Sequence, residues 1–123
     1  MASAATAYLA NKLLDHTFRN TAYTQPSAVY LGLSTNGSSE ISGGAYVRKA
    51  VTNGAASGSA MTNSAKVTFT QATASWGTIS HAAYFDAESS GNQLTAWTAL
   101  AVSRTVSLAD ILEVAIGDAD LTA

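Results

Sequence analysis

The chain has 123 residues, no cysteine, a formal net charge of -2 and 11% charged residues, against a usual ~25% for soluble domains. That length predicts one domain able to bury a core without cross-links. The missing thiols exclude disulfide frameworks, zinc–thiolate sites and cysteine nucleophiles, and the weak, slightly acidic charge gives no attraction for nucleic acid or an anionic membrane.

Ser3 to Phe18, SAATAYLANKLLDHTF, has helical character. Ser3 is a plausible N-cap, and Ala10, Leu14 and Phe18 recur at four-residue spacing beside Ala7, Tyr8 and Leu13. Asn11, Lys12, Asp15 and Arg19 gather on the other side, with Asp15 and Arg19 forming an i,i+4 pair. The expectation is one amphipathic helix over residues 3–19 whose apolar stripe lids a sheet; docking on a partner is the other use for such a stripe.

The period changes to two after Pro26, and the body of the domain is expected over residues 27–117. In SAVYLGLS, Val29, Leu31 and Leu33 share one face, with Tyr30 and Gly32 on the other. Tyr46 to Thr52 and Lys66 to Thr70 read as further strands, the latter with Val67 and Phe69 inward, separated by small-residue loops at Thr35–Ala45 and Thr52–Ala65. A hairpin follows, with Ile79, His81, Ala83 and Phe85 on one face and Leu94, Ala96, Thr98 and Leu100 on one face of its second arm. DAESSGN supplies the turn. Val102–Val106 adds a short edge, and Ile111–Ile116 a last strand with Leu112, Val114 and Ile116 inward. Six to eight short strands after one helix, with no alternating helices, predict a mainly β domain: an antiparallel β-sandwich or jelly-roll-like barrel.

No catalytic constellation emerges. A serine nucleophile needs a base in reach and a turn that exposes its oxygen, and no G-x-S-x-G elbow is present. His16 and His81 read as surface or interface histidines. Asp110, Glu113, Asp118 and Asp120 cluster near the C-terminus without the loop spacing of a calcium site, so they read as a solvated tail. No phosphate-binding G-x-x-x-x-G-K-[ST] occurs. Trp76 and Trp97 read as core fillers, with stacking on a saccharide as the alternative. No catalytic, cofactor or metal residue is assigned. The N-terminus lacks a basic segment followed by an apolar run, and no stretch approaches the ~18 to 20 apolar residues of a membrane span; synthesis in a host cytoplasm as a soluble product is expected.

The succession LANKLLDHTFRN, SAVYLGLST, GGAYVRKAV, NSAKVTFTQATASWGTISHAAYFDAESSGNQLTAWTAL and TVSLADILEVAIG resembles a family of small tailed-phage virion proteins often labelled tail-fibre-like. The resemblance runs from Tyr8 to about Gly117. It is carried most specifically by Gly44-Ala45-Tyr46-Val47-Arg48 and Ser75-Trp76-Gly77, and it implies an accessory structural protein on the particle exterior with no known reaction or cofactor. Ala, Ser, Thr and Gly account for 64 residues, and such small side chains lose little rotamer entropy when a surface is covered. No heptad run or fibrous repeat is present. The expectation is therefore a capsid decoration or cement protein on the outside of the major capsid shell, acting as a homo-oligomer, with trimers as the guessed geometry. A small tail or tail-fibre-associated protein is the alternative. Tyr8, Lys12, Arg19, Tyr46 and Arg48 are the candidate protein-interface residues, helped by the Thr35–Ala45 loop; Trp76 and Trp97 are the candidate saccharide contacts.

Overall fold

Strand β2 (Val29–Ser34) is the strand from which the domain is built outward. Its apolar alternation sends Leu31 and Leu33, each 1% exposed, into the core. In the computed structural model, which describes residues 2–122, β2 pairs antiparallel with β3 (Lys49–Val51) on one side and β6 (Gly77–Phe85) on the other. Strand β7 (Thr98–Val106) completes a four-stranded sheet of order β3-β2-β6-β7. Facing it are a two-stranded sheet, β5 (Val67–Thr68) with β8 (Glu113–Val114), and a three-stranded one of order β1-β9-β4, from Ala2–Ser3, Asp120–Thr122 and Ala60–Thr62. Leu31, Leu33, Ile79, Ala82, Tyr84 and Val106 of the large sheet meet Val67, Phe69, Ala72, Trp76 and Ala119 between the layers. The fold is a mainly β sandwich with one helix among the described residues, as the strand pattern predicts.

Three details depart from the expected pattern. The helix α1 runs from Ala7 to Phe18 and is capped by Thr6, not Ser3. Ser3 lies in β1, paired parallel with β9. The Thr6 hydroxyl accepts the Leu9 N–H and donates to the carbonyl of Gln93, and its backbone N–H reaches Leu94 O at 2.9 Å, so the helix starts where this tie ends. The acidic C-terminal segment is not a solvated tail: Ala119 is fully buried and β9 is the middle strand of its sheet. The last strand shrinks to Glu113–Val114, and Ile116, expected inward, is 66% exposed, because the chain turns at Gly117 with φ of 86°.

The hairpin departs in register. β6 pairs Ile79 with Arg104 but His81 with Ala99, so Leu100 to Ser103 on β7 are left opposite a single residue, Ser80. A bulge of this kind changes which side chains face the core. Ile79 points inward before it; Ala82 and Tyr84 do so after it, while Phe85 packs on the outer face against Trp97 with ring centroids 5.7 Å apart. The expected set of Ile79, His81, Ala83 and Phe85 on one face therefore splits.

Candidate functional site

The two motifs that carried the resemblance meet in space. Gly43, Gly44 and Ala45 all have positive φ, and this reversal brings Tyr46 edge-on to Trp76 at 5.5 Å and stacked near Phe69. The Trp76 indole N–H donates to Gly44 O at 2.9 Å. A Cβ on Gly44 would lie 2.9 Å from that indole nitrogen, so the position admits glycine alone without movement.

Past Tyr46 the chain passes from the core to the outer face of the large sheet. Arg48, 8% exposed, forms a two-pronged pair with Glu40 through Nε to Oε2 and Nη2 to Oε1, both at 2.8 Å. Its Nη1 donates to Ala87 O at 2.9 Å and Ser90 O at 2.8 Å, and the guanidinium lies 3.6 Å over the Phe85 ring. The Tyr46 hydroxyl donates to Glu40 Oε2 at 2.5 Å and accepts the Leu33 N–H. Burial pushes the Glu40 carboxyl up, but the hydrogen bonds from Arg48 and Tyr46 and the neighbouring positive charge outweigh it and hold it below the usual value. Burial and the Glu40 carboxylate push the Tyr46 phenol well above its ordinary range. The network needs room on the sheet, and Gly32 provides it: a Cβ there would come within 2.7 Å of Phe85 and 2.9 Å of Glu40. Tyr46 and Arg48 thus fix the 35–45 and 86–92 loops to the sandwich.

The remaining candidate residues sit apart from this network. Tyr8 packs on the edge of the core, with the Lys12 ammonium 5.8 Å from its ring centroid. Arg19 caps the helix C-terminus in a solvent-facing pair with Asp15 at 3.2 Å. Trp76 is 6% exposed and packs nearly perpendicular to the Tyr46 and Phe69 rings; Trp97 is half-buried beside Phe85. The Ser80 hydroxyl and His81 Nδ1 are 2.7 Å apart on consecutive residues of one strand. Among the described residues no three His, Cys, Asp or Glu side chains are grouped to hold a metal, and no helix is long and apolar enough to cross a membrane.

What the surface offers instead is uncovered hydrocarbon. None of the α1 residues is buried. Tyr8 and Leu9 touch the core, but Leu13, Leu14 and Phe18 are 46%, 55% and 79% exposed. The helix leans on the sandwich by its first turn and projects the rest of its apolar stripe, where a lid over the sheet was expected. A second apolar region lies where β7 jogs. There the sandwich opens into a cleft of about 330 Å³, floored by Leu31, Leu33 and Ala82 and walled by Leu100, Val102, Leu112 and Val114. Its rim carries Arg104, Glu113, Asp118 and Asp120. Exposure alone would have been invisible in the sequence, because periodicity says which residues share a face and not what covers them.

The described residues thus form a small β-sandwich held by internal polar ties, with apolar side chains left exposed on α1 and beside β7. The chain belongs to the Gp80 family, described as podophage GP4 fiber I protein gp80, whose model matches residues 4–122. That membership makes it a structural protein of a bacteriophage particle. A search of curated proteins found no match.

Proposed function

We propose that the chain is a non-enzymatic subunit of a phage fibre, or of the tail parts that carry one, and works by contact with tail components and with copies of itself. The observation that carries this reading is the helix stripe of Leu13, Leu14 and Phe18, left uncovered on the surface of the domain. A soluble monomer gains nothing from holding such a stripe in water; a subunit buries it on assembly. The family description, a podophage fiber protein, supports a place on the fibre or the tail parts that carry it; decoration of the capsid shell is the other reading. Antibody or gold labelling of intact particles tests it. Label on fibres or tail supports the proposal, and label spread over the capsid faces would return the protein to a decoration role on the major capsid protein.

A saccharide-binding role would have to rest on Trp97, since Trp76 is buried in the core at 6% exposure. A glycan array with purified protein decides this reading: saturable binding abolished by Trp97→Ala would establish it.

A further inference from the structure

Two Asn-Gly steps occur in the chain, Asn36-Gly37 and Asn53-Gly54, and the fold treats them differently. At such a step the backbone nitrogen of the glycine is tethered beside the asparagine amide carbon, and no Cβ hinders its approach. Asn53 is held against that attack. It bridges Asn63, and the Gly54 N–H is committed to Thr62 O at 2.9 Å. Its Oδ1 is buried and receives no hydrogen bond among the described residues.

Asn36 stands exposed on the 35–45 loop. Its Oδ1 accepts the Ser38 N–H at 2.9 Å, the Ser39 N–H at 3.0 Å and the Ser38 hydroxyl at 3.1 Å, so donors already surround the oxygen on which charge would build. Ser34, at the end of β2 and fully buried, completes the arrangement. Its Oγ accepts the Gly37 N–H at 2.9 Å and donates to Asn36 Oδ1 at 3.1 Å. One hydroxyl thus links the nitrogen that must lose a proton to the oxygen that must gain one.

We propose that Asn36 is a self-modification site, where Ser34 relays a proton from Gly37 N to Asn36 Oδ1 as the bond between Gly37 N and Asn36 Cγ forms. The Cγ–Nδ2 bond then breaks, Nδ2 takes the proton from Oδ1 and leaves as ammonia, and a succinimide remains. Water opens either carbonyl of that ring, giving aspartate or isoaspartate, and Ser34 is unchanged. Both products add a negative charge to the loop. Isoaspartate also lengthens its main chain shortly before Glu40, the residue that ties the loop to Arg48.

Trypsin cuts after Arg19, Arg48, Lys49 and Lys66, so the two steps fall in separate peptides, and mass spectrometry of protein aged at neutral pH follows each. Asn36 is expected to deamidate several-fold faster in the folded chain than in the chain held unfolded in urea, and Asn53 several-fold slower. Ser34→Ala, checked for native circular dichroism, should slow Asn36 several-fold. The folded rate at Asn36 should also rise less steeply with pH than the unfolded rate, because the relay removes the proton that hydroxide otherwise takes. The titratable neighbours are His81, whose ring packs on Gly37 from β6, and Glu40, which is paired with Arg48; His81→Gln repeats the profile without the imidazole. Each of three results would overturn the proposal: a folded Asn36 that reacts no faster than the unfolded one, a folded Ser34→Ala that reacts at the native rate or above, or parallel pH profiles for the two states.

Discussion

Asn63 shows how much one buried side chain can organise. It is 1% exposed, and its amide donates to Ala65 O and Ala115 O while its oxygen accepts the N–H groups of Gly117 and Ala119. All four hydrogen-bonding positions of the amide are filled, and they fasten the 115–119 turn to the segment after β4. Asn63→Ala removes all four bonds: the Ala119 N–H and Ala65 O lose this partner, while the Gly117 N–H keeps the backbone Asn63 O and Ala115 O keeps the Asp118 N–H, and buried unsatisfied groups are costly. A loss of about 3 kcal/mol is expected, read from urea unfolding. Asn63→Asp keeps the acceptor, but it removes both donors and sets a carboxylate against two carbonyl oxygens, so it should be at least as damaging.

Glu40 gives the residue scale its pH dependence. Its carboxyl is held below the ordinary value in the folded chain, so the unfolded chain binds the proton more readily. The resulting stability is complete above the unfolded pKa, ~4.3, and is lost as pH falls through the lower folded one. Asp86, lowered chiefly by the Asn92 backbone N–H, acts in the same direction. Acid titration monitored by tryptophan fluorescence should show a steeper fall for the native protein than for Glu40→Gln. The variant starts less stable at neutral pH because Arg48 loses its anion. The opposite limb belongs to the tyrosines. Burial, with the charge of Asp120, pushes Tyr84 up to about 12, so its contribution is intact below the unfolded value of ~10 and declines above it.

At the scale of elements, α1 is attached at its start and little supported beyond it. The Thr6 hydroxyl both caps the helix and reaches Gln93. Thr6→Ala should therefore cost about 1 kcal/mol and lower helical signal in far-ultraviolet circular dichroism. Leu14→Ser, at a site 55% exposed, should change monomer stability by less than about 0.5 kcal/mol. The opposite ranking, with Leu14 costly in a monomer, would mean that the stripe is covered by its own chain.

For the whole molecule, the sandwich is closed by its two ends. β9 lies between β1 and β4, pairing Ala2 with Asp120 and Met61 with Leu121. Ending the chain at Gly117 removes the middle strand of that sheet along with Ala119, which is fully buried against Tyr84 and Asn63. The truncated chain is expected to lose its cooperative thermal transition, and retention of a sharp one would show that this sheet is dispensable.

Legibility from sequence followed the length of each element. β2 and the first half of β6 are long enough for Val29–Leu31–Leu33 and Ile79 to declare a face. β4 and β9, three residues each of Ala, Met, Thr, Asp and Leu, carry no period to detect, and their pairing partners lie far apart in the chain. The jog in β7 was hidden because a bulge changes pairing without changing composition. Tyr46 and Arg48 could be singled out as unusual, but the reason could not. Glu40 and Gly32 reach them through a loop and a neighbouring strand, and no spacing rule relates those positions.

The interrupted ladder of β7 has one more effect. An uninterrupted outer strand invites identical chains to add their own backbones to it without limit. Here the register of β7 against β6 shifts between Thr98–Ala99 and Arg104–Val106, and an edge strand bent by a bulge is a poor template for such growth. The open edge of the large sheet is thereby protected against backbone-to-backbone growth into fibrillar aggregates, and the protection lies in the backbone, independent of any side-chain contact.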